Sequence, residues 1–181
     1  MASPSLRSLA RHLAVPERTL RRAAAEGLVH GRRTSARRFE TSLREEVYLR
    51  RHWPLLSGLR DALRTEPNVR LAVLIGSQAT GRSTEHSDVD LLVELREGSA
   101  ERVAQITGRL ERRLSRDVQL VRLQDAERTP SLMADALRDG RVLVDRAGRW
   151  PALKALEASW RRRAAATELP LEQAMRDLDP A

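Results

Sequence analysis

Val73-Leu74-Ile75-Gly76-Ser77, then a polar loop, then Ser87-Asp88-Val89-Asp90-Leu91-Leu92-Val93 is the stretch on which the fold turns. The first run, Val69 to Ile75, is apolar and rich in β-branched residues, and it stops at Gly76-Ser77. The second, Val89 to Leu95, is equally apolar, so two strands joined by a loop are predicted. Side chains two apart on a strand share a face, which sets Asp88 beside Asp90. Adjacent carboxylates repel unless a cation lies between them. Hard divalent cations such as Mg²⁺ take oxygen ligands and keep positions open for phosphate oxygens.

Outward from this pair, Asp117 opens an alternating run to Leu123, predicted as a third strand. Beside the Asp88 strand it would supply a third carboxylate, enough for two metals in an in-line phosphoryl transfer. Gly76 lets the backbone approach a phosphate, and Ser77 adds a hydroxyl donor. Gln78, Arg82 and Ser87 belong to the same loop, and a guanidinium suits phosphate oxygens, so Arg82 is a candidate triphosphate contact. Asp-x-Asp alone says little: Asp177-Leu178-Asp179 repeats the spacing in a polar tail, with Ala165-Ala166 where the first copy has Gly-Ser. Helical periodicity follows over Ser99 to Leu114 and Ser131 to Leu137, and Arg141 to Asp145 reads as a further strand. Strands alternating with helices give an α/β layer.

Val73 to Ser77 with Ser87 to Val93 resembles the minimal nucleotidyltransferases of the DNA polymerase β-like superfamily. Asp117-Val118-Gln119-Leu120-Val121 is similar to their third-carboxylate strand, and Arg138-Asp139-Gly140-Arg141-Val142-Leu143 to the segment that closes their core. The resemblance covers roughly residues 69–145. It implies an α/β (α+β) core with a short mixed sheet and flanking helices. It also implies transfer of a nucleoside monophosphate from an NTP, usually AMP from ATP, with pyrophosphate released. Asp88 and Asp90 would then ligate two Mg²⁺ ions, Asp117 would join one of them and help deprotonate the acceptor hydroxyl, and Ser77 would hold the triphosphate.

The first third has another texture. Leu6, Leu9, Ala10 and Leu13 recur at helical spacing behind Ser5; Ala14-Val15-Pro16 interrupts; Leu20, Ala23 and Ala24 mark a second helix ending at Gly27. Gly31 to Phe39 reads as a β-wing, and Ser42-x-x-Glu45 as a capping box for a further helix. Pro54 and Pro67 bracket a connecting helix, Leu55 to Thr65. Residues 5 to about 52 resemble the winged helix-turn-helix of the excisionase and MerR-like superfamily, through Leu9-Ala10, Val15, Arg18-Thr19-Leu20-Arg21, Glu26-Gly27-Leu28 and Arg37-Arg38-Phe39. That resemblance implies DNA contact, with Arg18, Thr19, Arg21 and Arg22 at the major groove and Arg33, Arg37 and Arg38 on phosphates. The expected division is 1–52, a DNA-binding module; 53–68, a connecting helix; 69–148, the nucleotidyltransferase domain; and 149–181, a helix from Pro151 to Ala166 and a fraying tail.

Charge follows the same division. Of a net +8, residues 1–68 carry +7, and nine arginines between Arg7 and Arg38 meet only Glu17 and Glu26. Localised charge of one sign is the footprint of a nucleic-acid-binding face. The 181 residues contain no cysteine, so thiolate zinc sites, disulfides and thiol catalysis are excluded. No apolar run approaches a bilayer span and no signal peptide is apparent, so a soluble, cytoplasmic protein is expected. Trp53, Trp150 and Trp160 are expected to pack, and His86 to be a solvated loop residue.

The resemblance implies a Mg²⁺-dependent transferase that is the antitoxin of a pair, adenylylating a HEPN-type toxin and binding its own operator. A nucleotidyltransferase toxin, a small-molecule adenylyltransferase, and an NTP-responsive regulator without transferase activity remain open at this level.

Overall fold

The apolar run ending at Ile75 becomes an interior strand. The computed structural model describes residues 5–35, 38–85 and 87–177, with side chains to residue 167. Helices α1 (Leu6–His12) and α2 (Glu17–Glu26) precede a two-stranded ribbon, β1 (Arg32–Arg33) and β2 (Phe39–Glu40). Helix α3 (Leu43–Arg64) leads to β3 (Val69–Leu74), the short helix α4 (Gly76–Thr80) and β4 (Val89–Leu95). Then come α5 (Ala100–Leu114), β5 (Val118–Arg122), α6 (Leu123–Ala126) and α7 (Pro130–Asp139). Strand β6 (Arg141–Asp145) and helices α8 (Arg149–Ala155) and α9 (Glu157–Asp177) follow.

The sheet order is β5-β4-β3-β6. Strand β3 is antiparallel to β4 and β6, while β4 and β5 are parallel, so the sheet is mixed. Five of the six β3 residues are buried, which explains the unbroken apolar run: helices cover both faces. One face carries Leu71, Val73 and Leu92 against Met133, Leu137, Trp150 and Trp160. The other carries Leu74, Leu91 and Val93 against Leu56, Leu59, Leu63, Ile106 and Leu110, and this cluster extends to Leu6, Leu9 and Leu20. The N-terminal elements therefore share the main core. All three tryptophans are buried.

Two helix expectations are corrected. The first concerns Pro54: α3 runs 22 residues through it. Pro54 sits on the exposed side, so the carbonyl deprived of its amide partner lies toward water. Interior proline costs roughly 3 kcal/mol, whereas burying Leu49, Leu56, Leu59 and Leu63 contributes about 1.5–3 kcal/mol each. Packing wins, and the boundary drawn between residues 52 and 53 falls inside one helix. At the other end, the helix expected over Pro151 to Ala166 is two, α8 and α9, and the backbone stays helical to Asp177.

The capping box is half realised. Ser42 Oγ accepts from Glu45 N at 3.0 Å, but the Glu45 side chain turns inward. It meets Arg141 through two bonds, 2.7 and 2.9 Å, with both side chains almost fully buried. Arg141 also donates to Ala79 O at 2.9 Å and Leu28 O at 3.2 Å, and its guanidinium lies 3.5 Å from the Tyr48 ring centre. One side chain of β6 thus holds α3, α4 and the segment after α2. Burial pushes the Tyr48 phenol up to about 12, against the opposing charge of Arg141. Its hydroxyl donates to Gln78 O at 2.9 Å.

Removing one partner of such a pair strands a buried charge. Arg141→Met should lower unfolding free energy by about 3–5 kcal/mol in urea titrations, and Arg141→Met with Glu45→Leu should recover part of it.

His30, beside this pair, has its pKa lowered below 6.5 by burial first and then by Arg141. Its Nε2 bonds Gly140 O at 3.1 Å, so the neutral ring donates there. Below the ordinary value the unfolded chain takes a proton that the folded chain refuses. Stability should therefore fall as pH drops through 6.5. His30→Gln should flatten that part of a thermal-denaturation pH series.

Candidate active site

The site is built where β3 ends. Ile75 N donates to Asp90 O at 2.9 Å, which brings the start of β4 against the turn. Gly76 then takes a left-handed φ of +68°, and a Cβ there would lie 2.5 Å from Asp90 Oδ2. Glycine is required twice over, for conformation and for room. From this turn α4 carries Ser77, half-buried, and ends at Gly81, also left-handed at +77°.

Asp88 is exposed and Asp90 half-buried, flanking the buried Val89. Burial raises the Asp90 pKa, and the charge of Asp88 raises it further. The repulsion expected from the spacing is therefore present. Val89 pairs with Val118 and Asp90 with Gln119, and Val89 N donates to Asp117 O at 2.9 Å. By alternation, that register puts Asp117 beside Asp88 on the same face. Both line a cleft of about 540 Å³, together with Glu85, Ser87, Glu111 and Arg116.

Asp88 and Asp90 are hard oxygen donors that repel one another, a donor set that fits a divalent cation. Among the described residues no three acidic or histidine side chains close around one point. The donor chemistry is present in Asp88 and Asp90, with Asp117 lining the same cleft as Asp88.

Other expected residues are dispersed. Gln78 is 1% exposed, and its amide donates to Ser87 O at 3.2 Å. It clamps the loop from within. Ser87 lines the acid cleft, but its hydroxyl accepts from Thr84 N at 2.9 Å. Arg82, exposed just past α4, lines a different cleft, of about 560 Å³, with Arg44, Arg51 and Arg138. His86 and Arg37 lie outside the described residues.

Toward the N-terminus, Arg18, Arg21 and Arg22 are exposed on α2. Arg21 pairs with Glu17 at 2.6 Å and Arg22 with Glu26 at 3.0 Å. Thr19 joins Arg18 and Arg22 along a groove against α3. Arg33 and Arg38 line a recess with Arg21, and Arg38 pairs with Glu40 at 2.9 Å.

No motif marks Glu111 or Arg116. A signal for them existed, since the last turn of α5 must end beside Asp117. Ser115, left-handed at φ +52°, makes that bend.

The polymerase beta, nucleotidyltransferase family model matches residues 58–149. Solved structures share the fold. A toxin–antitoxin crystallised with AMP-PNP has TM-score 0.54 at 21% identity, over 66% of this chain and 98% of that one. A mutant MntA–HpeT toxin–antitoxin, with two Asp-to-Glu replacements two positions apart, has TM-score 0.55 at 20% identity, over 66% and 98%. A Tyr-to-Ala mutant of it has TM-score 0.53 at 23% identity, over 66% and 96%. At such identities the likeness is one of fold. No curated protein sequence matches the chain.

Removing the Asp88 charge should move its neighbour. Without divalent cation, Asp88→Asn should lower the Asp90 pKa toward 3.8 while burial still holds it above, as followed by carboxyl ¹³C chemical shifts against pH.

Proposed function

This chain belongs to the polymerase β nucleotidyltransferase family, and from that premise we propose that it transfers AMP from ATP to an acceptor hydroxyl on a HEPN-type toxin, as the antitoxin of the pair. The enzyme class, nucleotidyltransferase, follows from the family. The chemistry proposed for this site rests on one observation, the Asp90 carboxylate packed against the glycine turn with Asp88 and Asp117 flanking a shared cleft.

Asp88 and Asp90 are the residues that would hold Mg²⁺, with Asp117 on the acceptor side. The metal, when bound, supplies neutralisation of phosphate charge as the α-phosphorus is attacked. The chain's own groups do the rest. Gly76 leaves the turn open to the triphosphate, and the Ser77 hydroxyl donates to a phosphate oxygen. Asp117 takes the proton of the acceptor hydroxyl. A new bond forms between that oxygen and the α-phosphorus, the bond to the bridging oxygen breaks, and pyrophosphate leaves.

The antitoxin reading is supported by the fold shared with toxin–antitoxin complexes, one of them holding an ATP analogue. Residues 1–52 are proposed as a winged helix-turn-helix, with α2 and the β1–β2 ribbon presenting Arg18, Thr19, Arg21, Arg22, Arg33 and Arg38 to DNA. Their position on one basic third of the chain supports this. No described helix is long and apolar enough to cross a membrane.

With α-labelled ATP, Mg²⁺ and the partner, label should appear on the partner and pyrophosphate in solution. Asp88→Asn or Asp90→Asn should reduce labelling at least about 10²–10³-fold. Labelling undiminished in both variants would refute the site. ATP-responsive DNA binding with no pyrophosphate released would instead identify a ligand-responsive regulator.

A further inference from the structure

Arg60 presents an unresolved polar contact. It is 6% exposed, it shares the Glu26 carboxylate through a terminal nitrogen, and its buried Nε has no acceptor among the described residues. Buried donors are nearly always satisfied, so an orphaned one points to a missing partner. Burial lowers the Arg60 pKa, Glu26 opposes this, and Arg64 and Arg22 lower it further.

Nε itself is closed to the surface, and what a ligand could enter is the groove beside it. Arg60 lines a groove of about 280 Å³ between α2 and α3, with Arg18, Arg22, Arg64 and Asp61. Arg18 and Arg22 stand one turn apart on α2, as Arg60 and Arg64 do on α3, so two short cationic ridges face one another. Four guanidiniums meet two carboxylates, Glu26 and Asp61. Glu26 is already divided between Arg22 and Arg60. Neither Arg18 nor Arg64 has an ion pair among the described residues. A tetrahedral oxyanion accepts from several such forks at once, and an open position between four of them fits it.

We propose that the α2–α3 groove is a phosphate-binding cradle in which Arg60 and Arg64 of α3 join Arg18 and Arg22 of α2 around one phosphodiester of a nucleic acid. The inference rests on the DNA-binding reading for the source of the phosphate, and on the groove alone for the site. It assigns to α3 a contact that the helix-turn-helix resemblance does not. Arg64 is a sequence-independent anchor, since phosphate contacts fix register without reading bases.

The test uses the full chain and two probes, a fluorescent duplex and inorganic phosphate. Arg64 is exposed, so Arg64→Ala and Arg64→Glu should fold, with Arg161→Ala as a charge-matched control on α9. Arg64→Ala should weaken binding equally for unrelated duplexes and reduce the salt slope of log affinity by about one. Arg64→Glu should weaken it more, and Arg161→Ala should not. Inorganic phosphate should shift the Arg60 Nε–H resonance in ¹H–¹⁵N spectra, and Arg64→Glu should suppress the shift. Duplex affinity that ignores Arg64 but falls with Arg21→Ala would overturn the cradle and leave the DNA reading standing. A phosphate shift lost in Arg64→Glu, in a chain that binds no duplex, would uphold the cradle with free phosphate as its source. No duplex binding and no shift would overturn it.

Discussion

The guanidinium of Arg141 is the contact through which the separate parts of this molecule become one. Its donors reach Glu45 twice, Ala79 and Leu28, and its face rests on Tyr48. Taking such a pair out of water is expensive, and Coulomb attraction alone seldom offsets it. Here the remaining donors meet backbone carbonyls, so the ions are bonded as well as paired. The four partners come from α2's exit, α3 and α4, all gathered on one strand of the sheet. A hydrophobic replacement could fill the volume, but it could not fix three backbones relative to one another.

That hub bears on the site because α4 begins at Gly76 and ends near Ala79. Its far end is held by Arg141 and by the Tyr48 hydroxyl on Gln78, and its near end abuts the Asp90 carboxylate. A five-residue helix has too few internal bonds to hold its own direction. Its neighbours hold it from both sides. The turn is thereby rigid next to a carboxylate whose proton affinity is raised by burial and by Asp88. A cation there would offset that repulsion.

What was legible in the sequence followed from short-range rules. Strand β4 occupies Val89 to Leu95 as the apolar run indicates, and β5 follows Asp117 as the alternation indicates. Apart from the local break between α8 and α9, the features that differ depend on partners distant in the chain. Pro54 reads as a break from its neighbours alone, yet the buried stripe of α3 outweighs it. Glu45 fits a capping box locally, yet its partner is 96 residues away. Gln78 sits in the same loop as Arg82, and only its bonds to Tyr48 and Ser87 decide that it turns inward.

Helix α3 borders both basic and acidic territory, and its length matters to how they could communicate. At 22 residues it spans about 33 Å. Its first turns hold Glu45 on Arg141 and Tyr48 on Gln78 of α4, while its last turns hold Arg60 and Arg64 in the proposed cradle. Leu56, Leu59 and Leu63 bind its middle to the sheet, within the same cluster that contains α1 and α2. A strut packed along its whole length transmits position, not state. For phosphate at one end to alter chemistry at the other, α3 would need a second arrangement that one ligand prefers. The continuous core beneath it works against such an arrangement, because sliding the helix would unseat every leucine at once. The two ends are therefore expected to act as independent sites on a common scaffold, with the helix fixing the distance between the proposed phosphate cradle and the proposed transferase cleft.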